Sequence, residues 1–276
     1  MLKKNAVIGV SVNFDEYQLK NFILSFREVN IHDDLIMFVV PEQIPVLETC
    51  FYKYNVIFKP FCFADILGTK IHNARYIKVL EFLYEQTAYK NIFLSDTKDV
   101  IFQYDPFRNL ESEFLYFFQE DTGIKYRDEL EYNGGWIREG YGQAVLDSML
   151  DYNIICSGTI LGSYSRVIKL LVSVKDEFVK IKTERPSVFA SVILDQAVVN
   201  YICRMNEEIS NISTIKHNGD IVATIGVSLN NDFPSLDKVS MNKYHILLND
   251  LDPSIIHQYD RHPMLKEIFD KKYILS

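Results

Sequence analysis

Short, mostly apolar runs alternate with longer segments of helical periodicity along the first hundred residues. Continuously apolar runs are typical of strands that are buried on both faces of a sheet. Between these runs, residues 16–28 carry apolar side chains at helical spacing, and Asn73 is the predicted N-cap of a second helix. This order predicts an α/β fold with a central, mainly parallel sheet flanked by helices. The strand-like runs are AVIGVSVN (6–13), LIMFVV (35–40), NVIFK (55–59) and NIFLS (91–95).

The second half of the chain continues this pattern with longer polar insertions. EFLYFFQE (113–120) predicts another strand, and NIICSGTILGS (153–163) predicts a short strand followed by a turn. The segment 120–142 is polar, aromatic and glycine-bearing, which favours a functional surface loop. Helical periodicity returns over 165–181 and 191–204. We find no repeat and no linker, so the whole chain is predicted to form one domain.

Composition limits the partners that such a domain would bind. The 276 residues are 48% hydrophobic, which is enough for one large core. The formal net charge of −8 argues against a broad attraction to nucleic acid or to an anionic membrane. Four scattered cysteines without a CxxC pair indicate neither a disulfide framework nor a zinc site, so the cytoplasm is the expected location. No segment reaches the roughly 18 uninterrupted apolar residues of a membrane span, which leaves only peripheral membrane contact open.

The stretch NIFLSDTKDVIFQYDPF (91–107) places three aspartates after a strand-like run. In open α/β sheets, ligands bind outside the carboxyl ends of the strands, where Asp96 is expected. Mg²⁺ and Mn²⁺ are typically held by one or two carboxylates together with phosphate oxygens of a substrate. Asp96 and Asp99 could therefore share one ion, with Lys98 either near a phosphate or in solvent. Turn chemistry is the alternative, because aspartate is favoured in turns and Asp105 directly precedes a proline.

SDTKDVIFQYDPF resembles the signature of GT-A glycosyltransferases, a nucleotide-sugar-dependent family with an aspartate pair, usually DxD, at the end of a central strand. Here the pair is one residue further apart. NIICSGTILGS resembles the family's NSGxxL segment, which lines the donor-sugar pocket. ILDQAVVNYI (193–202) resembles its DQ-containing helix start, and IIHQYDRHP (255–263) resembles the C-terminal segment in which a histidine completes the metal shell. Each motif is weak alone, but together they cover most of the chain in the order of the family.

The resemblance implies residues for the metal, the nucleotide sugar and catalysis. Asp99 is the better candidate for direct metal contact, because an aspartate-proline pair follows it as in many retaining members of the family. Asp96 would then serve the ribose or the water shell of the metal, and His257 is preferred over His262 as the histidine ligand. By role, the implied residues are Asp96, Asp99 and His257 for Mn²⁺ or Mg²⁺; Ser11, Asn13, Arg75, Asp96, Ser157 and Gly158 for the nucleotide sugar; and Asp195 and Glu120 for catalysis.

Several of these residues also have a purely structural interpretation. Asp195 could stabilise the first turn of its helix through the helix dipole, and His257 could be a hydrogen-bonded core histidine. Arg75 and Lys78 open a predicted helix, where they either meet the diphosphate or face solvent. Trp136, the only tryptophan, is a candidate for stacking on a sugar of the acceptor, although tryptophan also anchors loops by burial.

The resemblance implies a metal-dependent glycosyltransferase that moves a sugar from a nucleotide-diphosphate donor, with UDP favoured, to a hydroxyl acceptor in glycan or polysaccharide synthesis. Within one domain of residues 1–276, residues 1–110 would bind the nucleotide and residues 111–276 the donor sugar and the acceptor. Transfer with inversion at the anomeric carbon needs a general base near the acceptor hydroxyl, and transfer with retention does not. The sequence leaves both outcomes open, and it leaves the oligomeric state open as well. One alternative is a metal-dependent sugar-nucleotide hydrolase or nucleotidyl-transfer enzyme, which the lack of a Gly-rich phosphate loop disfavours. The other is a non-catalytic carbohydrate-binding protein.

Overall fold

A seven-stranded sheet forms the centre of the computed structural model, which describes residues 4–62, 68–86, 89–226 and 237–275. Within these ranges, no helix combines the length and the apolar character needed to cross a membrane. The strands are β1 (Lys4–Val10), β2 (Asp34–Val39), β3 (Val56–Pro60), β4 (Tyr89–Ser95), β5 (Val100–Phe102), β6 (Leu115–Gln119), β7 (Ile155–Ser163), β8 (Thr214–Lys216), β9 (Val222–Thr224), β10 (Val239–Asn242), β11 (His245–Leu248) and β12 (Ile255–His257). The helices are α1 (Glu16–Val29), α2 (Ile44–Cys50), α3 (Ile71–Tyr84), α4 (Asn133–Tyr141), α5 (Gln143–Met149), α6 (Tyr164–Glu184), α7 (Pro186–Ser191), α8 (Asp195–Met205), α9 (Glu207–Ser210) and α10 (Pro263–Lys272).

The central sheet has the strand order β3-β2-β1-β4-β7-β6-β8. Strand β1 pairs in parallel with β2 and β4, and β2 pairs in parallel with β3. Strand β7 is antiparallel to both of its neighbours, β4 and β6, whereas β8 is parallel to β6. The predicted α/β fold with a mainly parallel sheet flanked by helices is therefore confirmed. The strand order reverses beside β1, and such a switch point is where open α/β sheets bind ligands.

Helices cover both faces of this sheet, which explains why its strands are continuously apolar. On one face, Val7 of β1 belongs to a buried cluster with Phe22 and Phe26 of α1. On the other face, Ile8 belongs to a second cluster that includes Leu80 of α3 and residues of α6 and α8. Successive residues of one strand thus enter opposite layers of the core.

A smaller sheet of three strands has β12 at its centre, antiparallel to β5 and parallel to β9. Its link to the main core is aromatic: the ring of Phe102 in β5 lies 5.2 Å from that of Phe22 and 5.1 Å from that of Phe26, measured between centroids. It also contacts the ring of Phe93 in β4 at 6.0 Å. This packing fixes the small sheet against α1 and β4, close to the turn between β4 and β5.

The loop prediction for residues 120–142 is wrong in its second half, where the chain forms α4. Ile137 is fully buried and anchors this helix. Its glycines allow close packing: a Cβ at Gly134 would lie 3.2 Å from the Glu129 carbonyl oxygen, and one at Gly140 would lie 3.3 Å from a methyl group of Leu194. Glycines that suggested a loop in the sequence are therefore packing positions on a helix.

Two further predictions need correction. NIICSGTILGS forms the nine-residue strand β7, with every residue buried, in place of a short strand and a turn. The helix expected over 191–204 is divided, because α7 ends at Ser191 and α8 begins at Asp195.

In β7, Gly162 is tolerated in the middle of the sheet because its backbone pairs with both neighbouring strands. Ser157 and Gly158 lie at an irregularity in the pairing with β6. There the backbone N–H of Ser157 donates to Gln196 Oε1. The carbonyl oxygen of Gly158 accepts from the backbone N–H of Asp96.

Asn73 lies inside the first turn of α3 and does not cap it. Its side chain is fully buried and joins α3 to the start of α8: Oδ1 accepts from the backbone N–H of Leu194 at 2.8 Å. Its Nδ2 donates to Thr69 Oγ1 at 2.9 Å and to the carbonyl oxygen of Val192 at 3.0 Å. This residue therefore sets the position at which α8 begins.

Asn73→Ala is expected to lower the free energy of unfolding by about 2–4 kcal/mol, because it leaves buried backbone groups without partners. Urea denaturation of the two proteins measures this difference. Asn211→Ala is the matched control, since Asn211 is exposed beyond the end of α9, and surface changes usually stay within about 0.5 kcal/mol. A loss below 1 kcal/mol in Asn73→Ala would contradict the assignment.

Candidate functional site

The turn between β4 and β5 carries both aspartates of the sequence motif, and the fold fixes each end of it. The backbone N–H of Asp96 donates to the carbonyl oxygen of Gly158 in β7 at 2.7 Å. The carbonyl oxygen of Asp99 accepts from the backbone N–H of Gln258 at 2.7 Å. Because β12 pairs antiparallel with β5 and sets His257 opposite Val100, His257 arrives directly beside Asp99.

These three side chains form a cluster that fits a divalent cation. His257 Nε2 lies 3.5 Å from Asp96 Oδ2 and 3.6 Å from Asp99 Oδ1, and one ligand atom from each residue lies within 4.8 Å of the others. The imidazole is 1% exposed, yet Nε2 has no hydrogen-bond partner. Carboxylate oxygens suit Mg²⁺, Ca²⁺ and Mn²⁺, and imidazole suits Zn²⁺, Cu²⁺, Fe²⁺ and Ni²⁺, so the ligand types alone select no single metal.

Gly158 is required for this arrangement. A Cβ at this position would lie 2.5 Å from Asp96 Oδ2 and 2.7 Å from His257 Cε1. Both distances are below any normal contact, so a side chain there would displace the carboxylate or the imidazole. The glycine predicted to line the donor-sugar pocket therefore lies against two of the candidate ligands.

The environment shifts the pKa values of the two aspartates in opposite directions. Burial alone would raise the pKa of Asp96, but the Arg75 guanidinium and His257 hold it well below its usual range. For Asp99, burial raises the pKa; the Asp96 and Asp260 carboxylates reinforce this effect, while His257 opposes it. A cation near Asp99 would favour its ionised form, and Asp96 already has such a partner in Arg75.

Arg75 joins the aspartate motif to the start of α8. Its Nη1 forms an ion pair with Asp96. Its Nη2 forms a second ion pair, with Asp195 Oδ2 at 2.7 Å. Ser157 Oγ donates to the same Asp195 oxygen at 3.2 Å. Four residues that the sequence singled out separately, Arg75, Asp96, Ser157 and Asp195, thus form one connected polar group.

Gln196 extends this group towards Glu120 and was not predicted individually. Its Oε1 accepts from the backbone N–H of Ser157 at 3.1 Å, and its Nε2 donates to Asn133 Oδ1 at 2.6 Å and to Glu120 Oε2 at 3.3 Å. Burial and the neighbouring Glu129 carboxylate raise the pKa of Glu120 to about 7. The only sequence signal for Gln196 was its place after Asp195 in the DQ pair.

A cleft of about 570 Å³ opens at the carboxyl ends of β1 and β4, beside the cluster. Its apolar lining includes Val10, Val12 and Phe14 at the end of β1. Arg261, which was not predicted, also lines the cleft, with its Nη2 3.7 Å from Asp99 Oδ2. The charged lining residues are Arg75, Asp96, Lys98, Asp99, Asp260 and Arg261.

The other predicted residues are more peripheral. Ser11 is fully buried, and its hydroxyl donates to Thr97 Oγ1 at 2.9 Å. Asn13 is exposed, and its backbone φ is 64°. Their neighbours Val12 and Phe14 line the cleft instead. Trp136 is half-buried in a small apolar cluster, consistent with an anchoring function. Asp105 is a turn residue, as expected, since its carboxylate accepts from a backbone N–H two residues on at 2.9 Å.

Comparison with known proteins gives no family for this chain. A scan against models of protein families found no match, and a search of curated proteins found no similar sequence. Function therefore has to be argued from the cluster, the polar group around Arg75 and the cleft.

Glu120→Gln is expected to change how stability depends on pH. Because the folded pKa of about 7 exceeds the ordinary value of 4.5, folded Glu120 holds its proton more tightly than unfolded Glu120. Its contribution is fully present below pH 4.5 and is lost as the pH rises to about 7. The glutamine variant should be more stable than wild type by roughly 1–3 kcal/mol at pH 8 and similar to it at pH 4.5.

Thermal unfolding between pH 4.5 and pH 8 measures this difference. Glu42→Gln is the control, since Glu42 is exposed, and it should follow the wild-type curve. Parallel curves for Glu120→Gln and wild type would show that Glu120 does not titrate in this range.

Proposed function

We propose that this protein is a metal-dependent glycosyltransferase that uses a nucleotide-diphosphate sugar as donor. The observation that carries the proposal is the cluster of Asp96, Asp99 and His257, in which Asp99 and His257 are buried and Asp96 is partly exposed, beside a cleft large enough for a nucleotide. It lies at the switch point of an open α/β sheet. The order of motifs in the sequence supports the same function.

Asp96, Asp99 and His257 would hold Mn²⁺ or Mg²⁺, both of which bind carboxylate oxygens. When bound, such an ion supplies Lewis-acid stabilisation of the charge that develops on a diphosphate leaving group. The chain itself provides further positive charge, because Lys98 and Arg261 line the cleft. These side chains are well placed for phosphate oxygens, which a guanidinium binds through two parallel hydrogen bonds.

The apolar lining of the cleft suits the nucleoside. Val10, Val12 and Phe14 follow one another at the carboxyl end of β1, and an aromatic ring offers a face on which a base can stack. This arrangement supports nucleotide binding at the end of β1, as the sequence suggested, with Val12 and Phe14 as contacts in place of Ser11 and Asn13. UDP remains the favoured nucleotide from the family resemblance.

The polar group around Arg75 suits the transferred sugar. Arg75 offers donors, Asp195 offers acceptors, and Ser157 offers both, which matches the hydroxyl groups of a sugar. Glu120 is better suited than Asp195 to act as a general base: its pKa of about 7 allows proton transfer near neutral pH, whereas Asp195 is paired with Arg75. An inverting reaction would use Glu120 in this way, and a retaining reaction would not require it.

An acceptor would approach from the side of α4. Asn133, the first residue of α4, bonds to Gln196, and the preceding Tyr132 is 61% exposed. An exposed tyrosine ring is a suitable surface for the apolar face of a sugar. We therefore assign acceptor contact to Tyr132 in place of the half-buried Trp136.

Asp99→Asn is expected to reduce Mn²⁺-dependent release of nucleoside diphosphate by about 100-fold or more, because it removes a charged ligand. Stability without metal should be unchanged or slightly higher, since burial and two nearby carboxylates already disfavour the ionised form of Asp99. A screen of nucleotide sugars by thermal shift, with and without Mn²⁺, identifies the donor for this assay. Release measured with and without acceptor distinguishes transfer from hydrolysis.

His262→Gln is the control for this experiment, because His262 was the alternative ligand in the sequence and lies outside the cluster. It should retain wild-type metal dependence. Full activity of Asp99→Asn in the presence of a chelator would exclude the metal centre.

A further inference from the structure

The imidazole of His257 contacts two uncharged side chains through its other nitrogen. Nδ1 lies 3.4 Å from Cys156 Sγ and 3.4 Å from Thr224 Oγ1. All three side chains are buried, with exposures of 1% for His257, 2% for Cys156 and 0% for Thr224. The imidazole is therefore held on the Nδ1 side, while Nε2 faces Asp96 and Asp99.

We infer that Cys156 and Thr224 are positioning residues, which keep a proton on Nδ1 of His257 and direct Nε2 towards the cation. This inference rests on the metal centre of the proposed function. A histidine that binds a metal through one nitrogen carries a hydrogen on the other, and a partner for that hydrogen fixes the ring orientation. A thiol sulfur and a hydroxyl oxygen are both acceptors for such a hydrogen.

The fold holds these two partners in place. Thr224 ends β9, which pairs in parallel with β12 and sets Thr224 beside His257 in register. The Thr224 backbone N–H donates to Asn218 Oδ1 at 2.7 Å, which fixes this end of the strand. Cys156 lies in β7, two residues before the Gly158 that leaves space for the ring.

The chemistry of the partners also suits this site. Metal-bound histidines often donate to a carboxylate, but Asp96 and Asp99 already bring two carboxylates to the cluster. A third would add repulsion in a buried region, where like charges are costly. A thiol and a hydroxyl orient the ring without adding charge.

Both partners share a single hydrogen, so each can hold it when the other is lost. Cys156→Ala or Thr224→Val alone should raise the dissociation constant for Mn²⁺ by about 2- to 3-fold. The double variant should raise it by about 10- to 100-fold, the usual effect of removing the partners that orient a metal ligand. A loss larger than the product of the two single effects shows that the two positions are coupled, and recovery when an acceptor is put back at position 156 identifies the shared hydrogen as the link.

The experiment is a titration of the purified full chain with Mn²⁺, in which the free ion is measured by electron paramagnetic resonance without any substrate. The matched controls are Cys203→Ala and Thr159→Val: Cys203 is 3% exposed in α8 and Thr159 is fully buried in β7. Both controls remove similar buried atoms and should bind Mn²⁺ as wild type does. Cys156→Ser keeps an acceptor at this position. Combined with Thr224→Val, it should therefore bind Mn²⁺ more tightly than the Cys156→Ala and Thr224→Val double variant does.

A second measurement uses only single variants and so does not depend on folding of the double variant. In the Mg²⁺-loaded protein, the Nδ1 proton of His257 should give an NMR signal that moves in Cys156→Ser and in Thr224→Ser but stays in Cys203→Ser. This inference would be overturned by an NMR signal that does not move in the two variants. It would also be overturned by wild-type affinity for Mn²⁺ in the double variant, with that affinity lost in Asp99→Asn. Either result would leave the metal centre intact. Absence of Mn²⁺ binding to wild type would instead refute the proposed function.

Discussion

Two neighbouring carboxylates in a largely buried site are stabilised by positive charge around them, and much of the site follows from this constraint. Arg75 approaches Asp96 from α3, and Arg261 approaches Asp99 from the segment after β12. The two guanidinium groups come from distant parts of the chain, and Nε2 of His257 in β12 faces both carboxylates. The helix positions, the small sheet and the buried glycine can all be understood as a way to bring these groups together in one place.

The order of strands and helices in the first half could be predicted from sequence because each element carries its own periodicity. The aspartate turn could be predicted for the same local reason, since it directly follows a buried strand. Pairing of β12 with β5 and with β9 could not be predicted, because strands of three residues contain too little pattern to identify a partner. His257 was therefore found through a family resemblance, while the backbone register that sets it beside Asp99 was found only in the structure.

The errors have a common physical origin in side chains whose function depends on distant neighbours. Asn73 has the chemistry of a helix cap, but its amide instead bonds to backbone groups in front of α8. The glycines of α4 have the flexibility of a loop, but they serve close packing. Gln196 carries only the signal of the DQ pair and Arg261 carries none, because a glutamine or an arginine on a helix or turn is usually in solvent.

The contacts of the site span long stretches of the chain, and this affects when the site can form. Arg75 and Asp195 are separated by 120 residues and Cys156 and His257 by 101, whereas β1 pairs with the nearby β2, and β2 with the nearby β3. Long loops cost more entropy to close, and contacts between distant residues form slowly. The pairing of β1, β2 and β3 can therefore form while the cluster is still open, and the cluster is complete only when β12 has docked beside β5. In a growing chain, this order separates folding of the first strands from assembly of the candidate site.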